Sequence, residues 1–91
     1  PYFLLGNHYL GKSSKSAEWF SKGFEFSKDK TEYLNNYSYA LKQQSCVAEA
    51  KKLIKKALEI TPSDKTLIET KNEFDAMEVN PSPQKCSSYV F

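Results

Sequence analysis

Apolar side chains recur every three or four positions through most of the chain, and short polar breaks separate the runs. Leu34, Tyr37, Ala40 and Leu41 form one such run, and Ala50, Ile54 and Ala57 form another. This spacing gathers side chains on one stripe of a helix. The breaks fall at Gly11-Lys12-Ser13-Ser14, Ser27 to Thr31, Gln44-Ser45 and Thr61-Pro62-Ser63-Asp64, each rich in residues that end helices or cap new ones. The pattern predicts five helices, near residues 2–10, 14–27, 31–43, 46–60 and 64–78. Ser14, Thr31, Ser45 and Ser63 or Asp64 are available as N-caps, whose side-chain oxygens accept orphan backbone N–H groups. After Glu78 the helical period stops. Pro81 and Pro83 favour extended backbone at the residues before them, so 79–91 is read as a Pro/Ser-containing tail or linker.

Self-comparison adds a second regularity. Phe20 and Ile54 lie 34 residues apart, as do Gly23 and Ala57, and Leu34 and Ile68. Within one unit the order is Leu34, Tyr37, Ser38, Leu41, then Ala50, Ile54, Ala57 and finally Pro62. In spacing this unit resembles the tetratricopeptide repeat, a pair of helices with small residues at set places. Tyr2, Leu5, Gly6 and Tyr9, followed by Ser16, Phe20 and Gly23, repeat the pattern with an inter-helix turn two residues shorter. A third unit is degenerate, because Lys71, Asn72 and Asp75 stand where the family has leucine, glycine and tyrosine.

The resemblance implies an all-α fold of antiparallel helical hairpins stacked as a short right-handed superhelix. Residues 1–78 are expected to form that domain, with one repeat at 1–30, a second at 31–64 and a C-terminal capping helix at 65–78. The small residues have a physical reason: where two helices cross, their separation of ~8–10 Å depends on the side chains at the contact. Gly6, Gly23, Ala50 and Ala57 are the expected contact points. On the cap, Leu67, Ile68, Phe74 and Met77 are expected to cover the preceding hairpin, with Glu69, Lys71, Glu73 and Asp75 facing water. A generic antiparallel helical bundle is the competing architecture.

In the family, the first helix of each hairpin lines a concave groove that holds a peptide or a partner's segment. Helix 31–43 carries Asn35, Asn36, Tyr39, Lys42 and Gln43 on the stripe opposite its core positions. The equivalent positions are Phe3, Leu4, Asn7 and Leu10 on the first helix and Thr66, Glu69, Thr70 and Glu73 on the cap. The expected groove is apolar at one end and acidic at the other. Asparagine, both donor and acceptor, suits peptide amides, although a solvated helix face has the same composition. Tetratricopeptide domains that clamp a chaperone's C-terminal carboxylate use cations with two asparagines. Asn7 and Asn36 match the asparagines, but Phe3, Thr66 and Thr70 stand where cations belong, which excludes that clamp.

Composition narrows the partners. The chain has 91 residues and a net charge of +2, and its 13 basic residues are all lysine. Without a guanidinium to bind phosphate or a guanine edge in bidentate fashion, nucleic acid is not expected. No apolar run approaches the ~20 residues needed to span a bilayer, so membrane insertion is not expected either. Lys51, Lys52, Lys55 and Lys56 offer either an anionic contact or the solvated face of an amphipathic helix. Trp19, Phe20, Phe24 and Phe26 cannot all face one direction, so Trp19 or Phe26 is expected at the surface.

Little catalytic chemistry is legible. His8, the one histidine, has no neighbouring nucleophile or metal motif, and the carboxylates sit beside lysines, as Glu25 does with Lys22 and Lys28. Cys46 and Cys86 have neither C-x-x-C spacing nor a nearby histidine, so no metal or cofactor is expected, while their pairing stays open. A chain that opens at Pro1 is read as a piece of a longer protein. Cytoplasmic placement is the expectation, with periplasmic or secreted placement left open. The sequence reads as a non-catalytic protein or peptide-binding module of a larger scaffold. A structural slice of a longer solenoid, or a self-associating module, is the alternative.

Overall fold

The computed structural model describes residues 15–78 and 81–91. Within them lie four α-helices and a short 3-10 turn, and no strand. The helices are α1 (Lys15–Ser27), α2 (Thr31–Gln43), α3 (Val47–Ile60) and α4 (Lys65–Asp75), and the 3-10 turn spans Gln84–Ser88. The helix expected at 2–10, with Gly6, His8 and Ser14, lies outside the described residues.

Helices α1, α2 and α3 bury the apolar stripe along their sequence. Ala17, Phe20, Gly23 and Phe24 of α1 are buried, as are Tyr33, Leu34, Tyr37, Ala40 and Leu41 of α2 and Ala50, Leu53, Ile54 and Ala57 of α3. Consecutive helices turn back on one another, with α2 packed between α1 and α3, and α4 laid on α3. Ala50 and Ala57 are fully covered and Gly23 is buried, as suits residues at close helix crossings. The core is aromatic around α2. The Phe20 ring stands edge-on to Tyr33 at 5.2 Å and stacks on Tyr37 at 5.7 Å, arrangements that suit the ring quadrupole. The hydroxyl of Tyr33 donates to the Phe20 carbonyl. Phe26 is 80% exposed.

Helix ends differ from expectation at two places. Of the two candidates Ser63 and Asp64, it is Asp64 that caps α4, its Oδ1 accepting from the Leu67 N–H at 3.1 Å. Thr31, however, is already helical, and the cap position of α2 is Lys30, which makes no side-chain cap bond. Ser45 is not an N-cap. It sits at φ 65°, and its N–H donates to the Lys42 carbonyl while that of Cys46 donates to Leu41. This is the left-handed turn that closes a helix C-terminus, so Ser45 finishes α2 and Cys46 opens α3 directly.

The last element corrects two further expectations. Helix α4 ends at Asp75, three residues short of the expected 78. Ile68, placed on the covered side, is 40% exposed, whereas Thr70, placed in the groove, is only 3% exposed. The reason is a hydrogen bond: Thr70 Oγ1 donates to Asn35 Oδ1 at 2.8 Å, which draws the hydroxyl into the contact with α2.

Residues 81–91 lie against the helices. Cys86 is disulfide-bonded to Cys46 across 40 positions of sequence. Ser82 Oγ donates to Glu49 Oε1 at 2.7 Å and Lys85 Nζ to Gln44 Oε1 at 3.0 Å, which fixes the segment along the start of α3.

Candidate functional site

Helices α2 and α4 share one face. Three contacts cross it in register: Thr70 on Asn35, the Phe74 ring edge-on to Tyr39 at 5.3 Å, and Lys42 Nζ to a Glu73 carboxylate oxygen at 3.5 Å. Lys42 Nζ also lies 5.6 Å from the centre of the Tyr39 ring, within cation–π range. Five of the residues read from sequence as groove lining, Asn35, Tyr39, Lys42, Thr70 and Glu73, are therefore brought together. Much of their polar capacity is used between the helices. Asn36 is half-buried on the same helix, and Gln43, Thr66 and Glu69 are exposed. A pocket of about 150 Å³ opens where α2 and α4 begin, lined by Thr31, Glu32, Asn35, Asp64, Thr66 and Leu67. Phe3, Leu4, Asn7 and Leu10 lie outside the described residues.

A second cleft, of about 340 Å³, separates α3 from α4. Lys51, Lys52, Lys55 and Lys71 rim it, Ile54 and Phe74 form its floor, and Asp75 closes one side. Two of these cations are engaged, since Lys71 Nζ bonds Asp75 at 2.6 Å and Lys51 Nζ donates to the Met77 carbonyl at 3.3 Å. The hydrogen bond from Lys71 holds the Asp75 carboxyl below the usual carboxylate range. Lys56 stands apart, over the rings of Phe24 and Phe91 at 5.9 and 5.7 Å.

The contact least visible in the sequence lies on the other side of α2. Tyr37 Oη donates to the Val90 carbonyl at 2.7 Å, and the Val90 N–H donates to Ser21 Oγ at 2.7 Å. The Phe91 ring meets Tyr37 edge-on at 6.5 Å. Burial pushes the Tyr37 hydroxyl far above its ordinary value, opposed by a hydrogen bond from Ser21. Burial also raises Tyr89, with the charge of Glu18 adding to the effect. The one sequence signal for this docking is the apolar, aromatic run Tyr89-Val90-Phe91, which water does not favour.

Cys46, Glu49 and Cys86 bring three potential ligand atoms within 4.8 Å of one another, but both sulfurs are engaged in the disulfide. No helix among the described residues is long and apolar enough to cross a membrane.

Comparison of the chain with protein-family models, with curated proteins and with solved structures finds no match.

Proposed function

We propose that this chain is a non-catalytic interaction module of tetratricopeptide-like build, its hairpins forming a short right-handed stack closed by α4. On this reading the face shared by α2 and α4 receives an extended segment of a protein partner. The observation that carries the reading is the register of Asn35 with Thr70, Tyr39 with Phe74 and Lys42 with Glu73. It aligns the two helices that the 34-residue period makes equivalent. Because those pairs satisfy one another, the partner meets the exposed groups around them, Thr66 and Glu69 on α4. Glu69 favours a basic residue at that end of the segment. A peptide screen followed by backbone amide NMR tests this: basic peptides should shift Thr66 and Glu69, and Glu69→Lys should reverse the preference. A screen in which acidic peptides always win, or in which those amides never move, sinks it.

The exposed Phe26 favours a second reading, self-association, since a phenyl ring 80% in water is an anchor suited to an interface. Sedimentation of the wild type and of Phe26→Ser across a range of concentrations separates the two.

A further inference from the structure

The contact between α1, α2 and residues 89–91 is built as a ligand contact is built. Both polar groups of Val90 are taken by side chains: Ser21 Oγ accepts its N–H and Tyr37 Oη donates to its carbonyl. Ser21 in turn hydrogen-bonds Tyr37, so the three bonds close a cycle in which each hydroxyl donates once and accepts once. Such a clamp reads a peptide backbone and ignores the side chain between, and Val90 is accordingly 48% exposed. Selection falls on the flanking residues. Phe91 is half-buried, edge-on to Tyr37 with Lys56 above its ring, and Tyr89 is half-buried beside α1.

The receptor half of the contact holds its shape by itself. Tyr37 is fixed by Phe20, Phe24 and Tyr33, at ring separations of 5.7, 6.2 and 6.4 Å. Helix packing, and not the segment, orients its hydroxyl. The segment's strongest tie lies elsewhere, in the Cys46–Cys86 disulfide. Tethering this close to the slot raises the segment's effective concentration there into the millimolar range or beyond, which excludes a competitor in free solution.

We infer that the slot between α1 and α3, lined by Ser21, Phe24, Tyr37 and Lys56, is a peptide-binding site for a neutral, extended aromatic–aliphatic–aromatic segment of another protein. Tyr89-Val90-Phe91 is its occupant in cis. The slot lies on the side of α2 away from Asn35, Tyr39 and Lys42, so it is a second site, independent of the face shared with α4. Reduction of the disulfide to two thiols by an external thiol or phosphine reductant frees the segment and gives the partner access.

The test uses the full chain carrying Cys86→Ser, Tyr89→Ser and Phe91→Ser, whose own segment no longer fits. The probe is a fluorescein-labelled Ser-Ser-Tyr-Val-Phe peptide, blocked at its far end to remove terminal charge. Fluorescence anisotropy should show saturable binding at least ~10-fold tighter than to the oxidised wild type. Adding Ser21→Ala should weaken it roughly 5- to 10-fold, the loss of about one hydrogen bond. No saturation up to about 1 mM in a variant with intact helical circular dichroism overturns the inference, and so does equal binding by the oxidised wild type. Should the triple variant not fold, the Tyr89→Ser, Phe91→Ser variant, which keeps both cysteines, decides once reduced with a phosphine. Excess unlabelled peptide must then shift the amides of Ser21, Phe24 and Lys56, and if they stay still the slot is not a site.

Discussion

Thr70 donates to the side-chain carbonyl of Asn35 at 2.8 Å, joining two helices through residues 35 positions apart. Replacing Thr70 with Val keeps the shape and removes the bond. We expect a loss of ~0.5–1.5 kcal/mol in urea unfolding, and a similar loss for Asn35→Ala. The double variant should lose less than the sum, because either change alone already breaks the pair. Strict additivity rules the contact out as a unit.

Ala57 is completely buried on α3. A leucine there has no room, so Ala57→Leu should cost ~1–3 kcal/mol through overpacking. The measurement is a thermal or urea melt. An unchanged midpoint contradicts the close crossing.

The Cys46–Cys86 link closes a long loop, at a sequence separation of 40. Restricting the unfolded chain in this way stabilises by ~2–4 kcal/mol on the chain-entropy account. Melting with and without a phosphine reductant reads the effect directly. Reduction, like Cys86→Ser, should lower the midpoint by roughly 10 °C or more and speed amide exchange at Tyr89, Val90 and Phe91 ahead of the helices. A midpoint indifferent to reductant refutes the assignment.

Burial pushes the Tyr33 hydroxyl up to about 12, and Tyr37 further in the same direction. The fold thus favours the neutral phenols, while in the unfolded chain they ionise near ~10. Their contribution is complete below about pH 10 and is lost as pH climbs through the folded-state values, by up to ~1.4 kcal/mol per pH unit for each group. Urea melts at about pH 9 and pH 11 should show the decline. Phenolate absorbance should go on rising above the ~10 of a free phenol as Tyr33 and Tyr37 ionise. A single transition near pH 10 with the helices intact contradicts the burial.

How much of this was legible in the sequence varies by element. Helix α2 runs over the predicted residues 31–43 because its apolar period and the breaks on both sides agree. Asp64 was readable as a cap because its side chain acts two or three residues away. Ser45 was not, since the same residue chemistry serves at a helix start and in a left-handed turn at a helix end. The choice was made by backbone bonds to Leu41 and Lys42. Ile68 and Thr70 exchanged roles because the period marks apolar positions and is silent on a hydroxyl that finds a buried acceptor. Of the candidate groove, its membership on α2 and α4 was readable from helical spacing. Which members satisfy one another depends on how α2 and α4 pack. The docking of Tyr89-Val90-Phe91 was the least readable feature: the segment has no period, and its partners Tyr37 and Ser21 stand 53 and 69 residues earlier.

That last separation has a consequence for cooperativity. Hairpins that touch only their neighbours can come apart from either end, one at a time, so unfolding is graded. A strap that bonds Ser21 of α1 and Tyr37 of α2 while fastened by a disulfide at the start of α3 couples the ends of that sequence. It also adds non-local contacts to an otherwise local topology, which slows folding. With the strap in place, α1, α2 and α3 assemble later and unfold together. With it released, α1 and α3 lose the direct link that the segment makes between them.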